Sequence, residues 1–218
     1  MTTENKAKKI ISVLESIYPD PKCGLDWQND TYKLTVMAIL SAQCTDKKVN
    51  DVSKTFFRKY RNFDELAKAE IPDIEKEIRQ IGLFHAKAKS LSECAKRIVN
   101  VYNGKVPSEM DDLLSLRGVG RKVANLIRGD AFSLGGIVAD THCIRISHRL
   151  GLTDSDNPVI TERELLKLIP HDKQSDFCHR MVMFGRETCQ ARSPKCDICP
   201  LFKYCEYIKN TDKQAENS

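Results

Sequence analysis

The chain has 218 residues, enough for one large domain or two modest ones with cores of their own. With 41% hydrophobic and 30% charged residues it reads as an ordinary globular protein, which excludes a disordered or fibrous chain. No apolar run approaches a membrane span and the N-terminal stretch is polar, so a cytoplasmic location without a membrane partner is expected; a formal charge of +5 permits a nucleic-acid partner without demanding one.

Helical periodicity runs through the chain. Ile10, Val13, Leu14 and Ile17 form one apolar stripe, stopped by Pro19 and Pro21. Leu34, Met37, Ala38 and Ser41 suit a second helix, and Thr45 or Asp46 can cap a third carrying Val49, Val52, Phe56 and Tyr60. Pro72 sits where a first turn tolerates it, Ile74, Ile78 and Ile81 follow, and Gly82 is expected to end that helix. A longer helix is expected from about Ala86 to Tyr102, with Gly104 beyond its end, then a short one over Ser108 to Leu116. Gly120 to Phe132 forms the next, and Asp140 or Thr141 opens another that stops near Gly151. Thr161 and Glu164 have capping-box spacing before Leu165, Leu168 and Ile169, with Pro170 closing the helix, and Ser175 to Phe184 makes the last. No alternating strand pattern, fixed repeat or low-complexity linker interrupts this order, and the expected fold class is all-α.

Between two of these helices lies Leu116-Arg117-Gly118-Val119-Gly120-Arg121-Lys122-Val123-Ala124. Gly118 and Gly120 permit a tight turn and close approach of the backbone to another molecule, while the amides beyond the turn open a helix N-terminus that attracts a phosphate oxygen. Such a helix-hairpin-helix grips a sugar-phosphate backbone without reading bases. Lys122 then serves as a phosphate contact or as an amine nucleophile. Partial burial against Val119 and Val123 is expected to favour the neutral amine that a Schiff base requires. Asp140, in Val138-Ala139-Asp140-Thr141-His142, has two compatible roles: N-cap of the following helix, or a carboxylate that assists the amine. His142 lies close enough in sequence to share that site.

Nine cysteines in a cytosolic chain are not a disulfide framework, and Cys23, Cys44, Cys94, Cys143 and Cys178 read as small core residues. Cys189-x6-Cys196-x2-Cys199-x5-Cys205 differs, because four thiols so close together bind metal. The spacing alone leaves zinc and an iron–sulfur cluster open. Arg186, Arg192 and Lys195, in and beside that loop, suit phosphate binding.

The hairpin and the Asp140 segment resemble the helix-hairpin-helix DNA glycosylase superfamily, and within it the endonuclease III family. The likeness extends to Leu40-Ser41-Ala42-Gln43-Cys44-Thr45-Asp46, Ile81-Gly82-Leu83-Phe84, Gly104-x-Val106-Pro107 and Gly185-Arg186-x-x-Cys189, covering about Ile10 to Tyr207. It implies a bifunctional base-excision-repair enzyme, DNA glycosylase and abasic-site lyase, acting as a monomer on damaged double-stranded DNA of the nucleoid. Lys122 and Asp140 would be its catalytic residues. Gln43 would fill the gap left by the flipped nucleotide, Leu83 would wedge beside the estranged base, and Gly118, Gly120, Arg117, Arg186, Arg192 and Lys195 would meet the DNA backbone. Cys189, Cys196, Cys199 and Cys205 would hold a [4Fe-4S] cluster. The implied architecture is two-lobed: a six-helix barrel over 25–134, a discontinuous cluster domain over 1–24 and 135–210, and a flexible tail over 211–218. Arg117 stands where the family commonly has proline, exchanging a backbone restraint for a cation. Lys122 argues against a monofunctional relative that uses water alone.

Overall fold

A computed structural model describes residues 1–208, and among these there are helices and turns but no strand. The expected tail, 211–218, and the last two residues of the expected cluster domain lie outside the described residues. The chain divides into two compact units, one over 23–134 and one made of 1–22 with 135–218.

The first unit contains α2 (Thr31–Leu40), α3 (Asp46–Lys59), α4 (Phe63–Lys68), α5 (Ile71–Ile78), α6 (Phe84–Tyr102), α7 (Met110–Leu114) and α8 (Arg121–Phe132). Its centre is α2, capped by Asp30 and buried on nearly every face, as expected of a helix without a polar stripe. Val49, Phe56, Ile74, Ile78, Leu91, Ile98, Leu113 and Ile127 close around it. Thr45 caps α3 by accepting the Lys48 amide at 3.3 Å, one of the two expected alternatives. Two expectations need correction. The helix after Pro72 ends at Ile78 rather than Gly82, and Ile81 is buried by the turn that follows. Helix α4 was not anticipated at all; Asn62 caps it, and only Phe63 and Leu66 are buried, too little sequence to display a period.

The second unit contains α1 (Thr3–Ile17), α9 (Thr141–Arg149), α10 (Pro158–Leu168) and α11 (Gln174–Glu187), with 3-10 turns at His171–Lys173, Cys196–Ile198 and Phe202–Tyr204. Ile10 and Leu14 of α1 pack with Ile146, Leu165, Phe177, Met181 and Phe184. At Gly185 the side chains of His142, Ile146 and Arg145 on α9 press against that face of α11, and any side chain there would have to displace them. The expected capping box is overturned. Asn157 caps α10, accepting from the amides of Val159 and Ile160, and Pro158 occupies the first turn. Thr161 therefore lies inside the helix, where its hydroxyl donates to the Ser155 carbonyl at 2.9 Å. Of the five scattered cysteines Cys94, Cys143 and Cys178 are buried, but Cys23 and Cys44 are only half-buried.

Candidate active site and metal centre

In the first unit the hairpin is anchored by Leu116 and Val119, 2% and 4% exposed, while its remaining residues face solvent. The two glycines differ in what they do. Gly118 has φ +84°, and a Cβ there would lie 2.9 Å from the Ser90 Cβ and 3.2 Å from Ile39. Gly120 is the N-cap of α8 in ordinary extended backbone, with open space where a side chain would be. No side chain caps α8, so its first amides stay available to an acceptor.

Lys122 sits in the first turn of α8 and is exposed. The expected partial burial against Val119 and Val123 is thus absent: those side chains turn to the core and the lysine turns away from it. Arg117 is exposed and pairs with Glu93 of α6 at 3.4 Å. Gln43 and Leu83 are both exposed and both hold left-handed backbone, φ +54° and +59°. Leucine reaches that region only when its surroundings impose it.

In the second unit Asp140 is the N-cap of α9 and accepts the Cys143 amide at 2.7 Å through one carboxylate oxygen. Its second oxygen leaves room for other chemistry. His142 is half-buried, with its Nδ1 3.3 Å from the Arg145 guanidinium.

The four clustered cysteines, all free thiols, line one small pocket together with Leu150, Phe184 and Pro194. Burial raises the Cys196 and Cys199 thiols, and the neighbouring cysteines raise them further. Four thiols gathered around one half-buried pocket are a donor set of the kind that binds metal as thiolates. Two arginines of α9 fix the loop. Arg145 donates to the Cys189 carbonyl at 2.8 Å, and Arg149 donates to the carbonyls of Gln190 and Ala191 at 2.8 Å each and to the Cys189 sulfur at 3.4 Å. Sequence reading missed both arginines; their i, i+4 spacing on the helix after Asp140 was the one available signal. Arg186, Arg192 and Lys195 are exposed around this loop.

A helical hairpin whose second helix has no side-chain cap, and a four-cysteine loop in the same chain, together define the class of a metal-bearing protein that grips a phosphate backbone. Residues 36–171 match the HhH-GPD superfamily of base excision DNA repair proteins, and residues 189–205 match the iron–sulfur binding domain of endonuclease III. Endonuclease III of Synechocystis is 40% identical over 203 residues, covering 93% of this chain and 92% of the relative. A solved trapped endonuclease III–DNA covalent intermediate, an estranged-adenine complex, superposes with a TM-score of 0.90 at 37% identity, covering 97% of this chain and all of that one. A thermostable thymine-DNA glycosylase superposes at 0.85 with 27% identity, covering 95% and 99%. The chain belongs to the endonuclease III family. It is a DNA glycosylase with abasic-site lyase activity, and its cofactor is a [4Fe-4S] cluster that the four thiols fit.

Proposed function

We propose that Lys122 is the nucleophile, Asp140 assists it, and the substrate is duplex DNA carrying an oxidised pyrimidine. The lysine nitrogen attacks the anomeric carbon. The glycosidic bond breaks, and the base leaves with the bonding pair and takes up a proton. Opening of the sugar gives an imine between the lysine nitrogen and that carbon. Loss of a proton from C2′ then expels the 3′ phosphate oxygen, which cuts the strand 3′ to the lesion, and water frees the amine. The Asp140 carboxylate stabilises positive charge developing on the sugar and relays protons at the amine.

One observation carries the reading: an exposed amine in the first turn of a helix whose amides have no cap. A phosphate received by those amides brings its own sugar towards the lysine. Gly118, Gly120 and Arg117 hold the backbone on the hairpin side, and Arg186, Arg192 and Lys195 do so from the loop that Cys189, Cys196, Cys199 and Cys205 tie down through the cluster. Gln43 fills the space vacated by the flipped nucleotide and Leu83 wedges beside its former partner. All of these groups lie in one chain, which supports a monomer. A nucleoid substrate supports a cytoplasmic setting, and among the described residues no helix is long and apolar enough to cross a membrane.

Borohydride reduction tests the chemistry. Incubated with duplex DNA containing thymine glycol or an abasic site, the protein should be trapped as a covalent adduct, and Lys122→Ala should abolish it. Base excision that persists without trapping would favour a water-using, monofunctional enzyme.

A further inference from the structure

Lys87 is the only buried lysine among the described residues, 5% exposed in the first turn of α6. Its ammonium donates to the carbonyls of Leu40 at 2.9 Å and Ala42 at 2.6 Å. Those oxygens belong to the C-terminal end of α2, where carbonyls lack helical partners and the helix dipole is negative. Hydrogen-bonded there, the Lys87 ammonium offsets its burial and ties α6 to the end of α2. Its backbone amide meanwhile donates to the Leu83 carbonyl at 3.0 Å.

Lys87 thus touches the two segments that carry the exposed, left-handed residues. Gln43 directly follows Ala42, and its φ of +54° depends on the turn in which the Cys44 amide bonds the Ser41 carbonyl. Leu83 precedes α6, and its carbonyl takes the Lys87 amide. We propose that Lys87 is a positioning residue that holds the Gln43 turn at a set distance and angle from Leu83, so that gap-filler and wedge enter the duplex together. The inference rests on the roles proposed above for Gln43 and Leu83. Deep burial keeps Lys87 itself from the DNA.

The test uses the full-length, cluster-loaded protein and two substrates. One is duplex DNA with thymine glycol; the other is a single-stranded abasic oligonucleotide, which needs no base extrusion. Lys87→Met, close in length but without donors, should slow single-turnover excision from the duplex by roughly ten- to a hundredfold, the scale of a misplaced group. Cleavage of the single strand should stay within about twofold of wild type, because the hairpin and Lys122 are untouched. Gln43→Ala should slow duplex excision at least as much, and the double variant should be no slower on the duplex than Gln43→Ala alone, since both changes remove one function. Should Lys87→Met fail to fold, Lys87→Gln, with a neutral and shorter donor, is judged by the same criteria. Full duplex activity in Gln43→Ala overturns the gap-filling role and the inference with it. A defective Gln43→Ala beside an unaffected Lys87 variant, losses that multiply in the double variant, or equal loss on both substrates overturns the inference alone.

Discussion

Replacing Gly118 with alanine makes two demands on the hairpin at once. At φ +84° an L-residue occupies left-handed backbone, which costs about 1–2 kcal/mol. The new Cβ also arrives 2.9 Å from the Ser90 Cβ and 3.2 Å from an Ile39 methyl, so α6 or α2 must give way. Forced shifts in a packed region cost about 1–3 kcal/mol, and the lower chain entropy of unfolded alanine offsets about 0.4–1 kcal/mol. The net expectation is a loss of about 1–4.6 kcal/mol, centred on ~3 kcal/mol. Gly120→Ala makes neither demand: the backbone is extended and the space is open. Its stability should change by about 1 kcal/mol or less, the scale of an N-cap exchange. Its methyl would instead stand in the open space before α8, where the proposed phosphate approaches, and should weaken binding to a duplex with a non-cleavable abasic analogue by about tenfold, the scale of one lost charged hydrogen bond. Urea titration followed by helical circular dichroism reads the first quantity, and a binding titration at fixed salt reads the second. Equal stability for the two variants, or wild-type binding by Gly120→Ala, refutes the division of labour between the glycines.

Arg149→Ala removes the bonds to the Gln190 and Ala191 carbonyls and the contact with the Cys189 sulfur, each charge-assisted bond being worth about 1.5–3 kcal/mol. The visible absorption of the cluster should then decay several times faster in the presence of an iron chelator, and an unchanged decay counts against the clamp. Arg117→Gln should alter stability by less than about 1 kcal/mol, since its pair with Glu93 is half-exposed. If Arg117 takes a phosphate, the slope of log affinity against log salt should fall by ~0.9; an unchanged slope leaves the arginine with Glu93. Burial lowers the Lys87 ammonium below its ordinary value of 10.5, so the folded protein gives up that proton before the unfolded chain does. The associated stability is present above 10.5 and is lost as pH falls through the folded value. Wild type should therefore gain stability relative to Lys87→Met as pH climbs towards 10.5, and a flat difference refutes the lowered value.

What could be read from the chain was what depends on near neighbours. Thr45 and Asp140 act as caps because the amides they accept from are three residues away, and the four thiols declare themselves by close spacing. Short-range pattern also misled. Thr161 and Glu164 have the spacing of a capping box, but Asn157 and Pro158 start the helix a turn earlier and leave Thr161 buried. Both hairpin glycines looked alike in sequence, because neither Ser90 nor Ile39 is near Gly118 along the chain. The contacts that locate the candidate site are longer still. Lys87 reaches the Leu40 carbonyl 47 residues back, and Arg149 reaches the Gln190 carbonyl 41 residues ahead. No period or motif encodes such a meeting; it follows from the packing of whole helices.

Two helices organise the functional groups, each within its own unit. Along α6, Leu83 stands at the entrance, Lys87 holds the Gln43 turn, Ser90 meets Gly118, and Glu93 pairs with Arg117. These positions are separated by four, three and three residues, so they share one face of the helix, and the rise of 1.5 Å per residue spaces them over about 15 Å. A rigid rod, rather than three independent loops, therefore sets how far Leu83, the Gln43 turn and the hairpin lie from one another. Along α9 the same economy recurs: Asp140 caps the first turn, while Arg145 and Arg149 in the later turns hold the loop beginning at Cys189. Loosening that loop frees two half-buried arginines on a nine-residue helix whose first turn is capped by the Asp140 carboxylate. The cysteine loop and the Asp140 carboxylate are thereby tied to one helix.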